Sequence, residues 1–219
     1  MTSTETTART DRAKIKKTVL SALGGGVVGM IGASGIMYLI SSGKLGQPDL
    51  SQVVALLVAL VYALTGLIVL AGLISPEAGS RFLNVEDADE LREQKGALTA
   101  SGWAMLLLGA LLAVIALGGT GGVLAAPVAL AIAAVLIAAA TYLSVRSMRQ
   151  LDELMRAMSA ESAQVSYYAI FLILGGWAAL AHLGYVTAPG MLDVLTLFWV
   201  MGLGATFWVT GRRGLLNPR

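Results

Sequence analysis

The apolar stretches of this sequence contain side chains suited to proton transfer or nucleophilic chemistry, among them His182, Asp193 and Ser34. His182 is the single histidine of the chain and lies in an apolar stretch, six residues before Ala188 in the turn Thr-Ala-Pro-Gly. Asp193 follows Ala188 by five residues. If two antiparallel helices meet at that turn, the two side chains lie at similar depth. The spacing therefore makes a contact between His182 and Asp193 geometrically reasonable.

This polar pair has three interpretations. In a structural clasp, Asp193 caps the following helix at the positive end of its dipole and accepts a hydrogen bond from His182. In a relay, the pair exchanges protons during transport, and in an enzyme, His182 acts as a base. No acid or base lies in the middle of an apolar stretch, where an ion-coupled carrier usually needs one. The structural clasp is therefore favoured.

The composition indicates an integral membrane protein built from helices. The chain is 57% hydrophobic and 13% charged, with a mean hydropathy of +0.78, whereas soluble domains carry about 25% charged residues. The apolar stretches are continuous and about 20 residues long, which is the length of a helix that crosses a hydrocarbon layer. Transmembrane barrels would instead alternate apolar and polar residues. The chain has no cysteine, which excludes disulfides and thiol catalysis.

The apolar stretches predict six transmembrane helices arranged as three helical hairpins. We expect a disordered polar tail at 1–17, a single transmembrane domain at 18–211 and a second tail at 212–219. Helical linkers are predicted at 75–97 and 146–164. The predicted spans are 18–40, 51–74, 98–117, 122–145, 165–185 and 191–210.

The basic residues predict the orientation of these spans. Of the fifteen lysines and arginines, only Lys44 falls in a loop on the second side of the membrane. Because basic residues concentrate in cytoplasmic segments, both termini are expected in the cytoplasm, in a membrane of the bacterial cytoplasmic (inner) type. The net charge of +2 is too small to indicate a nucleic-acid surface, so the expected partner surface is the lipid bilayer.

Small residues recur every four positions in the first predicted span. Ser21, Gly25, Gly29 and Ala33 form one flat ridge, and such ridges let helix backbones approach closely in lipid. Packing within the chain is the favoured interpretation. An interface between copies and a glycine-lined permeation path are the alternatives.

The linker 146–164 carries an apolar stripe at helical spacing. Met148, Leu151, Met155 and Met158 follow an i, i+3, i+7, i+10 pattern. Methionine-rich stripes suit adaptable contacts, so the stripe is expected to dock on the other linker, lie on the membrane or bind a partner helix. In the linker 75–97, the spacing of the acidic residues is not that of a calcium-binding loop. We expect no metal site and no cofactor.

The four residues 32–35 read Gly-Ala-Ser-Gly, a GxSG motif around Ser34. Together with His182 in a later span, the motif resembles the serine–histidine dyad of the rhomboid intramembrane proteases, which are also six-helix bundles. The resemblance implies an intramembrane serine hydrolase with Ser34 as nucleophile and His182 as base. The chain departs from that family because the serine lies in the first span rather than the fourth, and because the long loop after the first span is missing. The structural alternative is a hydrogen bond from Ser34 to its own helix.

These observations favour a non-enzymatic membrane protein that serves as an accessory, assembly or scaffold component of a complex. Its expected partners are other membrane proteins or further copies of itself. The first alternative is a small transporter or channel for an apolar or weakly polar solute, with Tyr62, Trp177 and Trp199 along its path. The serine hydrolase is the second alternative.

Overall fold

The computed structural model describes residues 24–75, 79, 88–119 and 122–215. The predicted tail at 1–17, Ser21, part of the linker 75–97 and residues 216–219 lie outside this part of the chain. Within it the fold is helical and contains no β-strand. The helices are α1 (Gly24–Ser41), α2 (Leu50–Ile74), α3 (Ala88–Glu93), α4 (Lys95–Leu117), α5 (Ala126–Arg149), α6 (Glu153–His182) and α7 (Met191–Arg212).

Every one of these helices except the short α3 is long and apolar enough to cross a membrane. The prediction of six spans is therefore confirmed for the described residues, and the chain is an integral membrane protein. The predicted span 165–185 lies almost wholly inside α6, which has thirty residues. At 1.5 Å per residue α6 is about 45 Å long, so it is longer than the roughly 30 Å hydrocarbon layer.

Contacts between helices define two ends of the molecule. Ser147 of α5 donates a hydrogen bond of 3.1 Å to the carbonyl of Ala97 in α4, and Arg213 pairs with Glu161 of α6. We call this the basic end, because α5 and α7 finish there in arginines. The opposite end carries the connections 42–49 and 183–190 and, between α4 and α5, residues 118–119 and 122–125, and we call it the turn end.

The connection between α5 and α6 interrupts the helical linker predicted at 146–164. α5 ends at Arg149, and Asp152 adopts an extended conformation with φ −66° and ψ 176°. The Asp152 carboxylate accepts the N–H of Met155 at 2.7 Å and so caps α6. Aspartate favours such caps because its side chain replaces a missing helical hydrogen bond. The predicted stripe is therefore divided between two helices.

The tightest packing joins α2 and α4 through glycines. A Cβ atom added at Gly109 would lie 2.8 Å from the carbonyl oxygen of Ala59, and one added at Gly66 would lie 2.6 Å from that of Gly102. The two backbones are therefore in direct contact, as small residues permit in lipid. Beside them lies a buried cluster formed by Ala55, Leu56, Ala59, Leu112 and Ala116.

The other helices pack outward from this pair. α5 packs on α4, α7 packs on α2, and α6 packs on α7. α1 contacts α2, because Ile36 packs against the buried cluster. None of the described residues of α1 is buried, and α6 contributes only Met158 to the buried set. These two helices therefore lie at the periphery of the described structure.

Candidate functional site

The structure places Asp193 and His182 near the turn end but gives them different surroundings. The Asp193 carboxylate accepts the N–H of Gly190 at 2.9 Å, within the first turn of α7. His182 is exposed in the last turn of α6. Its ring makes no hydrogen bond or ion pair with any residue in the described ranges. Asp193 thus bonds the main chain of the N-cap residue of α7, and the structure shows no bond from His182 to Asp193.

Ser34 is exposed on α1, and its hydroxyl has no hydrogen-bond partner in the described part of the chain. The back-bond expected to its own helix is therefore absent. A serine nucleophile needs its base within hydrogen-bond reach. Neither Ser34 nor His182 makes such a bond, so the structure does not join them as a dyad.

The aromatic residues proposed for a transport path belong mainly to the core. Tyr62 is only 7% exposed, and its hydroxyl donates to the carbonyl of Trp199 at 2.8 Å. The indole of Trp199 donates to the carbonyl of Leu108 at 3.2 Å. Trp177 donates to the carbonyl of Thr187 in the turn at 2.9 Å. Tyr62 and Trp199 therefore join helices rather than line an open path.

The small-residue ridge of α1 is packed along only part of its length. Gly25, Gly29, Gly32 and Ile36 share one face, because they follow an i, i+4, i+7, i+11 pattern. A Cβ atom added at Gly32 would lie 2.8 Å from the Leu60 side chain. Added at Gly25 or Gly29, it would meet no described atom within 4 Å. Within the predicted ridge, Ala33 is half-buried.

α1 therefore touches α2 near the middle and turn end and diverges from it toward the basic end. On α2, Leu67 lies two helical turns beyond Leu60 on the same face, and it is 52% exposed. Helix spacing therefore places Leu67 opposite Gly25 and Gly29, where the described residues leave a space. We call this space the α1–α2 cleft.

The predicted methionine face is split by the break before α6. Met148 remains on α5, where it is exposed. Leu151, Met155 and Met158 instead line a cavity of about 400 Å³ between α6 and α7. The two helices supply hydroxyl groups to the same cavity, and we call it the hydroxyl groove. These hydroxyls belong to Ser159, Ser162, Ser166, Thr206 and Thr210.

The serine and threonine hydroxyls of the groove were not predicted from the sequence. Met155, Ser159, Ser162 and Ser166 follow an i, i+4, i+7, i+11 pattern on α6, which places them on one face. Thr206 and Thr210 are one turn apart on α7. The spacing within each helix was visible in the sequence. The pairing of the two helices was not, because it arises only in the folded chain.

A second cavity of about 470 Å³ adjoins the groove at the basic end. Leu151 and Met155 line both cavities and therefore form the wall between them. The second cavity also touches Gln94 near the start of α4 and Gln150 in the connection to α6. Its lining is thus more polar than that of the groove.

One ion-pair group fastens α6 to α7 close to the hydroxyl groove. The guanidinium of Arg213 donates to the Glu161 carboxylate through Nη2 and through Nε, the latter at 3.1 Å. Arg212 lies 3.8 Å from the same carboxylate. Glu161 immediately precedes Ser162, which lines the groove. The two arginines therefore balance the negative charge of Glu161 beside the groove.

Comparison of the chain with protein-family models, with curated proteins and with solved structures gives no match. Within the described ranges, no three or more histidine, aspartate or glutamate side chains are placed to hold a metal ion.

Proposed function

We propose that this integral membrane protein is a non-enzymatic scaffold or accessory subunit that holds a transmembrane helix of a different protein in the α1–α2 cleft. The observation that carries the proposal is that one face of α1 is packed along only part of its length. Gly32 and Ile36 pack against their own chain, while Gly25 and Gly29 continue the same face where no described atom lies within 4 Å of an added Cβ.

The physical argument concerns how helices associate in lipid. Lipid tails are as apolar as leucine, so there is little hydrophobic drive between helices, and close van der Waals packing becomes important. Gly25 and Gly29 allow a second backbone to approach α1 closely. Leu67 supplies a large side chain on the opposite wall of the cleft. A helix lying between these residues would contact both walls.

A protein of different sequence fits the cleft better than a second copy of this chain. A twofold dimer buries the same patch on both subunits, so the patch must be complementary to itself. A space between two diverging helices is concave, and a concave surface does not fill its own copy. Self-association through the cleft would therefore need head-to-tail contacts, which continue into rings or filaments.

We further propose that the six spans form three hairpins in a bacterial cytoplasmic membrane, with the basic end inside. The distribution of charge supports this orientation, since Arg149, Arg212 and Arg213 lie at the basic end and Lys44 at the turn end. A membrane-impermeant maleimide tests it. Ser42→Cys should react in intact cells, whereas Gln150→Cys should react only after the membrane is opened.

Cysteine crosslinking in native membranes tests the scaffold function, because the natural chain contains no cysteine. Gly29→Cys places a thiol in the α1–α2 cleft. Ile31→Cys is the matched control, since Ile31 is 68% exposed and lies about 200° around the helix from Gly29. With a short bis-maleimide, we expect Gly29→Cys to join one protein of different mass and Ile31→Cys to give no such product.

Two outcomes would contradict this proposal. An adduct of twice the chain mass from Gly29→Cys would assign the cleft to a second copy. Equal products from both positions would show random collisions in the membrane. Gly29→Leu supplies an independent check: it should abolish co-purification of the partner without lowering the thermal stability of the isolated chain, because no described atom lies within 4 Å of the added Cβ.

A further inference from the structure

The hydroxyl groove has the size and lining of a small-molecule site. Its volume of about 400 Å³ lies within the range of about 300–1,000 Å³ that is usual for ligand pockets. Its wall combines the apolar side chains of Met155 and Met158 with hydroxyl groups from two helices. Met158 is buried beneath them. A mainly apolar wall with a few polar groups is typical of ligand sites.

The serine hydroxyls of the groove have unused hydrogen-bonding capacity. Ser162 and Ser166 are half-buried, and neither they nor Ser159 has a hydrogen-bond partner in the described ranges. Serines in transmembrane helices commonly bond to the carbonyl one turn earlier. These serine hydroxyls are also accessible, because among the described residues the buried side-chain oxygen without a partner belongs to Thr196 and not to the groove. These serines therefore favour a polar group supplied from outside the chain.

The threonines restrict what that group can be. Thr206 donates to the carbonyl of Gly202 at 2.9 Å, and Thr210 donates to the carbonyl of Thr206 at 2.7 Å. Their protons are engaged, so these hydroxyls can only accept further hydrogen bonds. The serines can both donate and accept. A head group that satisfies both walls must itself donate and accept hydrogen bonds, as an alcohol does.

The charge and position of the groove complete the description of the ligand. None of its ten lining residues is charged, and the adjacent Glu161 is paired with Arg213 and Arg212. An uncharged head group is therefore favoured. The thioethers of Met155 and Met158 adapt readily to irregular apolar shapes such as an acyl chain.

We propose that the hydroxyl groove binds a neutral amphiphile that carries free hydroxyl groups, of the monoacylglycerol class. The head group hydrogen-bonds the serines of α6 and the threonines of α7, and the acyl chain extends along the methionines toward the bilayer. This site is separate from the α1–α2 cleft and does not depend on the proposed scaffold function.

Photolabelling of the full chain in phosphatidylcholine nanodiscs tests this site. The probe is a monoacylglycerol with a diazirine in its acyl chain, and labelled peptides are identified by mass spectrometry. We expect labelling to concentrate in peptides that span 151–166 and 202–210. Unlabelled monooleoylglycerol should displace the probe. Its dimethyl ether, which accepts hydrogen bonds but cannot donate them, should displace it about tenfold less well.

Matched variants distinguish the loss of ligand contacts from the loss of folding. Ser162→Ala combined with Ser166→Ala removes two hydroxyls without adding volume and should weaken displacement by monooleoylglycerol about tenfold. Ser144→Ala removes a half-buried hydroxyl from α5, away from the groove, and should leave displacement unchanged. Ala163→Phe should block labelling by filling the groove. The thermal unfolding of each variant reports whether it folds.

Three results would overturn the site. These are labelling spread evenly over lipid-facing residues, equal displacement by the dimethyl ether, and unchanged displacement in the double serine variant. The dimethyl ether keeps the ester carbonyl, which bulk phospholipid also has, but lacks free hydroxyl groups. Its weaker displacement of the probe would therefore report the contribution of the hydroxyl groups. Gly29→Leu should leave the labelling unchanged, so failure of the scaffold function and failure of this site are distinguishable.

Discussion

The phenolic hydroxyl of Tyr62 donates a hydrogen bond of 2.8 Å to the main-chain carbonyl of Trp199, 137 positions later in the chain. The indole N–H of Trp199 then donates to the carbonyl of Leu108 at 3.2 Å. These two bonds connect α2, α7 and α4. Both acceptors are backbone carbonyls, so the contacts depend on how the helices are positioned rather than on complementary side chains.

Tyr62→Phe should therefore lower the stability of the folded chain. The variant keeps the ring in place and loses one interhelical hydrogen bond, which contributes about 0.5–1.5 kcal/mol in proteins and about 0.6 kcal/mol on average within membranes. Tyr142→Phe is the control, since Tyr142 is exposed and its hydroxyl has no partner in the described ranges. Tryptophan fluorescence during thermal unfolding in detergent measures the difference. Equal unfolding temperatures for the two variants would contradict it.

Glycine substitutions should have opposite effects at two positions. Gly109→Ala forces a Cβ atom against the Ala59 carbonyl at 2.8 Å, and such overpacking costs about 1–3 kcal/mol. At Gly175 no described atom lies within 4 Å of an added Cβ, so Gly175→Ala should gain up to about 1 kcal/mol of helix propensity. Unfolding in mixed micelles with increasing SDS gives both values. A loss of stability at both positions would mean that α6 is more closely packed than the structure shows.

The folded chain should lose stability when the side-chain donor of Gln52 is removed. Its side-chain oxygen accepts the N–H of Asp49 at 2.9 Å, and its Nε2 donates to the Ala116 carbonyl at 2.8 Å. Gln52→Glu keeps the acceptor but places a carboxylate against that carbonyl, so we expect a loss of about 1–3 kcal/mol. Gln164→Glu, at an exposed position of α6, should change stability by less than about 0.5 kcal/mol. Similar losses in both variants would contradict the contact with α4.

The hydropathy of the sequence predicted the spans well where a membrane helix begins and ends near its apolar stretch. The predicted 51–74 differs from α2 by one residue, because Asp49 caps the helix just before the apolar residues begin. α6 was predicted poorly at its start, since its first turns are amphipathic and hydropathy does not mark them. Asp152 was a visible capping residue, yet the regular apolar stripe around it favoured one continuous helix.

The candidate sites were harder to predict because they depend on the relative positions of helices. The spacing of small residues predicted a ridge on α1 that includes Gly25 and Gly29, but it contained no information on where α1 diverges from α2. The α1–α2 cleft follows from that divergence. Likewise, Met155 and Met158 were recognised as one face, whereas Thr206 and Thr210 join them only when α7 packs on α6. Spacing along one helix cannot supply such a partner.

Asp193 and His182 are predicted from the sequence to contact each other, but the structure shows no bond between them. Asp193→Ala removes the acceptor of the Gly190 N–H and should cost about 0.5–1.5 kcal/mol, as for other single hydrogen bonds. Asp193→Asn keeps an oxygen at that position and should lose less. His182→Ala should change stability by less than about 0.5 kcal/mol, because the ring is exposed and has no partner in the described ranges.

A double-mutant cycle decides whether the two side chains interact in the membrane. Sites without a shared contact give additive effects within about 0.3–0.5 kcal/mol. We therefore expect Asp193→Ala with His182→Ala to equal the sum of the single variants in SDS unfolding. A coupling above about 1 kcal/mol would show that His182 bonds Asp193 in the bilayer. In that case the Asp193 carboxylate would accept hydrogen bonds from both Gly190 and His182, as the clasp predicted from the sequence requires.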